Sequence, residues 1–293
     1  MSEEKGKVLL VIFSGTGNTR AVGEMISRHF REKGYAVETV EIKRPFPEIK
    51  NIDSYRFAGF GYPVHAFNIP RIFRKFLEAL PAAAGAKAFI FKTSGEPLSL
   101  NAASSFVLRK TLKKKGYDVV SDAHFLMPYN VIFRYPDGAV KTMVKYADSL
   151  SKSFVDKLLG DVPDTVKYKK RYRLFSALLR IQYLGAALNG KLIKADARKC
   201  VRCLKCVKNC PTENIKLKSG KIKFASKCTM CMRCAMMCPE DAIKFGFLNK
   251  WKVHGRYDFE RILADESIDD NFFSTTDSRF FRMHRKYYEK LNK

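Results

Sequence analysis

The eight cysteines of this chain all lie in one stretch, as two copies of a single spacing. In each copy three cysteines are separated by two residues, and a fourth, followed by proline, comes three residues later. The two copies are Cys200, Cys203, Cys206 and Cys210, then Cys228, Cys231, Cys234 and Cys238. Three thiolates at this spacing can wrap three corners of one 4Fe–4S cube from a tight loop. The spacing therefore predicts iron–sulfur clusters and electron transfer.

This C-x2-C-x2-C-x3-C-P run resembles that of the two-cluster bacterial ferredoxins, in which the fourth cysteine ligates the other cluster. The resemblance implies one cluster on Cys200, Cys203, Cys206 and Cys238, and a second on Cys228, Cys231, Cys234 and Cys210. Residues 215–217 and 242–245 follow the two runs, and each segment is expected to form a short strand. A small α+β domain of the bacterial ferredoxin type is expected over residues 196–247.

Two other uses of cysteine fit this pattern less well. Structural zinc sites use separated C-x2-C pairs rather than runs of four that end in Cys-Pro. A disulfide framework is typical of a small secreted chain, whereas this chain has 293 residues. The first residues are polar, so no signal peptide is evident, and no apolar run approaches the roughly 18 residues of a membrane span. With the cysteines assigned to clusters, the sequence predicts a protein of the reducing cytoplasm.

The N-terminal half begins with a phosphate-binding pattern. Residues 7–13 predict a buried parallel strand, and residues 19–33 have the period of an amphipathic helix. The loop between them consists of Ser14, Gly15, Thr16, Gly17, Asn18 and Thr19. Backbone amides and the helix dipole can hold a phosphate there. The loop contains neither Gly-Lys-Ser nor G-x-G-x-x-G, so it predicts a monoester phosphate, as on FMN, and no NAD(P) site. The alternative is an ordinary glycine turn before a helix.

This loop resembles the phosphate loop of the flavodoxins, whose pattern is S/T-x-T-G-x-T. The following residues alternate as a doubly wound fold requires. Strands are expected at 36–42, 56–62, 87–93 and 117–127, and helices at 70–80, 101–115 and 137–159. The sequence thus predicts an α/β domain over residues 1–162 with a five-stranded parallel sheet of flavodoxin-like order 2-1-3-4-5. Its ligand would bind at the carboxyl ends of strands one, three and four.

The loops at those strand ends supply the remaining candidate site residues. After strand three come Tyr62, Pro63, Val64, His65, Ala66 and Phe67, and after strand four come Thr93, Ser94, Gly95 and Glu96. The aromatic rings of Tyr62 and Phe67 could stack on a flavin, or they could pack in the core. His65 is a candidate proton donor or a structural histidine. The segment 127–130 leaves strand five and is expected near the flavin ring.

The formal charge of +26 is strongly basic. Residues 163–195 are predicted to be a basic helical linker, and 248–293 a tail that packs on the domains. The stretch 167–180 could be a solvated helix face, a docking site for an acidic partner, or a peripheral contact with an anionic membrane. Basic charge alone predicts no specific nucleic-acid site.

The whole chain resembles the EFR-type family of fused proteins, in which a flavodoxin-like half precedes a two-cluster ferredoxin half. The resemblance implies one FMN and two 4Fe–4S clusters. It favours an electron carrier that exchanges electrons with a redox protein partner, and the basic charge makes an acidic partner the natural one. The alternative is an FMN-dependent reductase of a small molecule such as a quinone, an enone or free flavin, supplied with electrons by the clusters.

Overall fold

The computed structural model describes residues 5–162 and 169–291. In its N-terminal half five strands form one parallel sheet in the order β2-β1-β3-β4-β5. The strands are β1 (Lys7–Ile12), β2 (Ala36–Glu41), β3 (Phe57–Pro63), β4 (Lys87–Ser94) and β5 (Asp118–Leu126). This order confirms the predicted flavodoxin-like sheet. Hydrophobic runs bounded by turn residues locate such buried strands well, because both faces of the sheet are covered.

Helices cover the two faces of this sheet. The helices are α1 (Asn18–Glu32), α2 (Arg71–Ala79), α3 (Phe106–Lys114) and α4 (Asp137–Leu159). The apolar stripes of α1 and α4 pack with Val8, Leu10 and Phe89 in one core. Those of α2 and α3 pack with Leu9 and Phe60 in the other core. The alternation of inward side chains along β1 therefore serves both layers.

The helix predicted over 101–115 begins later than expected. Residues Ser99–Ser105 form a 3-10 helix, and only then does α3 begin. The hydroxyl of Ser104 donates to the carbonyl of Asn101 at 2.7 Å, and that of Ser105 donates to the carbonyl of Ala102 at 3.2 Å. These side chains compete for backbone groups that an α-helix would use, so the turn stays tight.

The second half begins with α5 (Lys170–Leu178), a 3-10 turn (Leu179–Ile181) and α6 (Gln182–Leu192). The first residues of the predicted linker, 163–168, lie outside the described residues, as do Lys167 and Tyr168 of the proposed membrane stretch. A short strand, β6 (Ile193–Ala195), follows α6 and pairs antiparallel with β9 (Ile243–Phe245). The small domain therefore begins with a strand at the end of the predicted linker.

The cysteine-bearing domain has a two-fold repeated plan. The short helices α7 (Lys205–Lys208) and α8 (Arg233–Met236) each lie within one cysteine run. After the first run, β7 (Ile215–Lys218) and β8 (Lys221–Phe224) form an antiparallel hairpin. Strand β9 follows the second run. Two of these strands, β7 and β9, are those predicted after the cysteines, and their partners β8 and β6 carry no comparable sequence signal.

The tail consists of a 3-10 helix (Gly246–Trp251), α9 (Phe259–Ala264), α10 (Phe272–Thr275), a 3-10 turn (Arg279–Phe281) and α11 (Arg282–Leu291). It contacts both halves. Phe273 and Tyr288 pack in the core beside α4, and Lys252 donates to the carbonyl of Ile243 at 2.9 Å. Across the described ranges 5–162 and 169–291, every helix is too short or too polar to cross a membrane.

Candidate cofactor sites

A cavity of about 230 Å³ lies at the carboxyl ends of β1, β3 and β4, the edge at which a doubly wound sheet binds its ligand. Loops that follow the strands form most of its wall. Twelve predicted site residues line it: Ser14, Gly15, Thr16, Asn18, Thr19, Pro63, Val64, His65, Ala66, Thr93, Ser94 and Gly95. The predicted residues Gly17, Tyr62, Phe67 and Glu96 lie outside this lining.

The loop between β1 and α1 has the properties of an anion site. Among the described residues, the backbone amides of Thr16, Asn18 and Thr19 donate to no protein acceptor. The side chains of Thr16 and Thr19 are almost fully buried. Buried amides without an acceptor are costly unless a ligand or water accepts from them. Since α1 begins here without a side-chain cap, these amides suit a phosphate that lies at the positive end of the helix.

Side-chain hydrogen bonds hold this loop in shape. The hydroxyl of Ser14 accepts from the amides of Gly17 and Arg20, each at 3.2 Å. Gly17 has a φ of 119° and allows the backbone to turn into α1. The hydroxyls of Thr19 and Thr93 are 2.7 Å apart, which ties the first turn of α1 to the end of β4.

Of the two alternatives for Tyr62 and Phe67, stacking on a flavin or packing within the protein, the structure shows packing. The ring of Tyr62 is fully buried, its hydroxyl lies 3.0 Å from that of Ser104, and it packs edge-on against Phe73. The ring of Phe67 packs against Phe175 of α5, with centroids 6.2 Å apart. Neither residue lines the cavity. Side chains alternate along β3, so Tyr62 follows Phe60 into the core.

Tyr129, from the loop after β5, lines the cavity instead. Its ring packs over Gly95, where a β-carbon would overlap the ring. Asn130 also lines the cavity and donates from Nδ2 to the hydroxyl of Thr16 at 3.0 Å. Both residues belong to the segment expected near the flavin ring.

His65 lines the cavity, and burial lowers its pKa to about 4. The imidazole is therefore neutral at neutral pH. Its backbone carbonyl accepts from the amide side chain of Gln182 at 2.6 Å. Gln182, at the start of α6, is itself part of the cavity wall.

Hydrogen bonds to two backbone carbonyls fix the loop after β4, and one of the donor groups comes from the C-terminal tail. The carbonyl of Gly95 accepts from the hydroxyl of Tyr135 at 2.8 Å and lies 2.7 Å from Nε2 of His284 in α11. The carbonyl of Glu96 accepts from Ser94 at 2.9 Å and from Asn101 at 3.0 Å. The tail thus sets the position of a loop that lines the cavity.

Residues from the cysteine-bearing domain complete the cavity wall. They are Met230 and Met232, on the loop between Cys228 and Cys234, and they are joined by Leu248 from the tail. Sequence reasoning missed them together with Gln182, since no local pattern marks a side chain that reaches the cavity from a separate domain.

The first set of cysteines lies around one small cavity. Cys200, Cys203, Cys206 and Cys238 line it together, in the combination that the ferredoxin resemblance implies. The backbone of Arg202 and Leu204 is left-handed, with φ of 53° and 58°, and Met230 and Met232 repeat this with φ of 54° and 60°. These pairs curl each cysteine loop in the same way.

The second set is gathered by the same repeat. Burial and then the charges of neighbouring thiols raise the pKa of Cys234 well above its ordinary value, and the largest of those charge contributions come from Cys231, Cys228 and Cys210. Iron binding removes these protons. Within residues 5–162 and 169–291, no three histidine, cysteine or carboxylate side chains converge as for a single metal ion. A cube instead separates its thiolates around four corners.

The fourth cysteines of the two runs have matching surroundings. The thiol of Cys210 accepts from the amide of Asn214 at 3.3 Å, and that of Cys238 accepts from the amide of Ala242 at 3.2 Å. Such hydrogen bonds to sulfur are among the groups that set cluster potentials.

Arg233 joins the second cysteine run to the loop between β1 and α1. Its guanidinium is largely buried and donates to the carbonyls of Gly15, at 2.9 Å, and of Ser14. It also pairs with the carboxylate of Glu41 at 2.6 Å. In addition, the β-carbon of Cys231 lies 3.0 Å from where a side chain on Gly15 would begin. The cavity and the second cysteine set are therefore direct neighbours.

Comparison with known proteins adds to this description of the second half. Residues 192–239 match the protein family described as "4Fe-4S dicluster domain". This segment is thus an iron–sulfur domain of the ferredoxin type, and the match begins just before β6. No curated protein sequence matches the chain.

Solved structures similar to the chain align with its N-terminal half. Flavodoxin 1 of Bacillus cereus is 20% identical, covers 51% of this chain and 97% of its own, and has a TM-score of 0.36. The Streptococcus pneumoniae TIGR4 flavodoxin is 14% identical, covers 53% and 99%, and has a TM-score of 0.41. The NAD(P)H:quinone oxidoreductase of Methanothermobacter marburgensis is 13% identical, covers 51% and 96%, and has a TM-score of 0.39. The fold assignment itself rests on the strand order.

Proposed function

We propose that this chain is an electron-transfer flavoprotein that holds two 4Fe–4S clusters and one FMN, as the resemblance to the EFR-type family implies. The observation that carries the proposal is the shared loop 228–234. It bears three cysteines of the second set, and its Met230 and Met232 line the cavity at the sheet edge. With clusters on both cysteine sets and FMN in the cavity, the three cofactors would form a row that electrons can follow.

The donor set of the cavity fits FMN. The unpaired amides of Thr16, Asn18 and Thr19 would hold its phosphate, and the absence of a lysine in the loop suits a monoester. Tyr129 and Gly95 would border its ring, and Met230 and Met232 would exclude water from the side that faces the cysteines. When bound, FMN accepts one or two electrons, whereas each cluster transfers one.

The partner would dock at the first cysteine set. Cys203 is exposed and the neighbouring Val201 is 62% exposed, whereas Cys228 of the second set is buried. Exposed basic residues surround this end of the molecule: Lys194, Arg198, Lys199, Arg202, Lys205 and Lys208. Two acids lie nearby: Asp196 is paired with Lys244 at 3.0 Å, and Glu240 is exposed beside the cysteines, so cations outnumber acids at this end. This charge supports an acidic redox protein as the partner.

The first experiment is a count of iron, sulfide and flavin in the anaerobically purified chain, together with its visible spectrum. About eight irons, about eight sulfides and about one FMN per chain are expected. Iron without flavin, or about four irons, would contradict the proposal.

A single substitution can distinguish the roles of the two clusters by removing one of them. Cys203→Ala should reduce the iron content to about four per chain and leave the FMN content unchanged. Its flavin should still be reduced by dithionite, a small reductant that can reach the cavity region directly. Reduction by an acidic ferredoxin should slow at least about tenfold, because the entry site is lost. Equal slowing with both reductants would argue against a row of sites.

A further inference from the structure

The helical run from Lys170 to Leu192 presents a row of aliphatic side chains to solvent. These side chains are spaced three or four residues apart, so they form one stripe along the run. They are Leu174 (66% exposed), Leu178 (67%), Ile181 (71%), Leu184 (69%), Leu188 (60%) and Leu192 (44%). At 1.5 Å per residue the stripe from Leu174 to Leu192 is about 27 Å long. No described residue covers it.

The opposite face of this run is polar and small, which reverses the usual amphipathic arrangement. Ser176 donates to the carbonyl of Phe67 at 2.8 Å, and Tyr183 donates to that of Ile69 at 2.6 Å. The side-chain oxygen of Asn189 accepts from the amide of Phe247 at 2.7 Å. Hydrogen bonds therefore hold the run to the body of the protein, and its aliphatic side chains remain for another apolar surface.

The charges beside the stripe are all positive. The segment 169–195 contains no acidic residue, and its cations are Lys169, Lys170, Arg171, Arg173, Arg180, Lys191 and Lys194. A second copy of this chain would bring two such segments together and repel. The surface that covers the stripe must therefore be anionic as well as apolar.

Cations and the stripe meet at a surface cavity of about 500 Å³. It is lined by Lys170, Arg173 and Arg180 together with Leu174 and Ala177. The guanidinium of Arg173 lies 4.3 Å from the centre of the Phe106 ring, which holds it beside the cavity. Positive groups directly next to aliphatic side chains match the phosphate and the acyl chains of an anionic phospholipid.

We propose that the run from Lys170 to Leu192 binds in the plane of an anionic membrane surface. An exposed ridge of leucine and isoleucine side chains beside these cations fits the deformable acyl boundary and the phosphates of an anionic bilayer. In-plane helices combine such a ridge with lysine and arginine at its sides. Through Gln182, the same run reaches the cavity at the sheet edge, so the flavin site would lie near the membrane.

The test is flotation of the anaerobically purified holoprotein with vesicles of phosphatidylcholine, with and without phosphatidylglycerol. Binding is expected with the anionic vesicles and should be weak with the neutral ones. The double variant Leu178→Gln/Ile181→Gln should lower the partition coefficient at least about tenfold, because two exposed aliphatic side chains lose their burial in lipid. Both side chains are exposed in the free protein, so cluster and flavin content should not change.

Two matched controls test whether binding depends on the run from Lys170 to Leu192 or on exposed leucine and positive charge anywhere on the surface. Leu217→Gln removes a 46% exposed leucine from the β7–β8 hairpin and should leave binding unchanged. The triple variant Lys110→Gln/Lys113→Gln/Lys114→Gln removes three exposed charges from α3 and should weaken binding much less than Lys170→Gln/Arg171→Gln/Arg173→Gln.

Three results would overturn the proposal. The first is that the wild-type protein fails to bind anionic vesicles. The second is equal binding by the Leu178→Gln/Ile181→Gln variant, which would indicate charge attraction alone. The third is a concentration-dependent dimer in sedimentation that this variant abolishes, which would assign the stripe to a second copy of the chain.

Discussion

At the residue scale, Arg233 and Lys205 occupy the same place in the two cysteine runs, each one residue before the third cysteine. Lys205 is exposed, whereas Arg233 is buried and donates to the carbonyl of Gly15 in the loop between β1 and α1. The guanidinium can donate several hydrogen bonds in a fixed plane, which lysine cannot do. One side chain therefore adapts the second copy of the repeat for contact with the sheet domain.

Replacement of Arg233 by glutamine should destabilise the holoprotein by about 2 kcal/mol, because the carbonyls of Ser14 and Gly15 lose a charged donor and Glu41 keeps only Arg20 as its cation. We expect the melting temperature to fall by roughly 5 °C and the Kd for FMN to rise. The matched change Lys205→Gln should alter neither quantity. Equal effects of the two variants would show that Arg233 does not couple the domains.

Gly15 provides a steric test of the same contact. A β-carbon on Gly15 would overlap the carbonyl oxygen of Cys231, so Gly15→Ala must move one of the two loops. The expected result is a loss of FMN affinity of at least about tenfold, since loop amides would no longer converge. Gly185→Ala in α6 meets no atom within 4 Å and should be neutral or slightly stabilising. Titration of each flavin-free variant with FMN measures its affinity, which should be unchanged in Gly185→Ala.

At the scale of elements, the tail helix α11 helps to position the loop after β4, which lines the cavity. His284 lies 2.7 Å from the carbonyl of Gly95 and stacks on Phe273 with centroids 5.0 Å apart. His284→Ala should lower stability by about 2–3 kcal/mol through the space it leaves and should speed FMN dissociation. The neighbouring Met283 is 43% exposed, and Met283→Ala should change neither property. Stopped-flow fluorescence after dilution would measure the release of FMN, and equal release rates would contradict the role given to α11.

Strand β5 brings the partly buried His124 to Ser94 at the end of β4, and helix α11 brings the buried His284 to Gly95; these two histidines predict a pH dependence. Burial lowers the pKa of His124 to about 3, and it also lowers the pKa of His284. In the unfolded chain both protonate near pH 6.5. The folded state therefore loses stability as the pH falls below about 6.5, by up to about 1.4 kcal/mol per pH unit for each histidine.

The check is the unfolding of wild type and His124→Gln at a series of pH values from 7.5 downward. The variant lacks one of the titrating groups, so its stability should decline less steeply with acid. Comparing the two proteins at each pH cancels the acid sensitivity that they share through the clusters. Parallel curves would show that His124 contributes nothing to the pH dependence.

At the scale of the whole molecule, the charge of +26 should act on encounters with redox partners. Electron transfer with an acidic ferredoxin should slow by about tenfold between low and high ionic strength, because salt screens the attraction. The variant Arg198→Gln/Lys199→Gln/Arg202→Gln should reduce the rate at low salt more than the α3 triple lysine variant does. A rate that is independent of salt would contradict an acidic partner.

The layered sheet could be predicted because its information is local. Hydrophobic runs predict β1 and its neighbouring strands β2 and β3, and the loop 14–19 predicts the start of the helix that follows β1. Each of these signals depends only on residues that are neighbours in sequence. The aromatic residues were harder to assign. Tyr62 could face the ligand or the core, and only its pairing with Ser104 and Phe73 decides for the core.

The sequence by itself predicted the cysteine runs of the iron–sulfur domain, the loop 14–19 and, through the resemblance to the flavodoxins, the order of strands, because each of these signals lies in short stretches of neighbouring residues. The tertiary structure alone decided that Met230 and Met232 close the cavity, that Arg233 fastens the two halves, and that α11 holds Gly95. It also decided which face of the run from Lys170 to Leu192 is exposed. These contacts join residues far apart in sequence, and only the packing of whole domains brings them together.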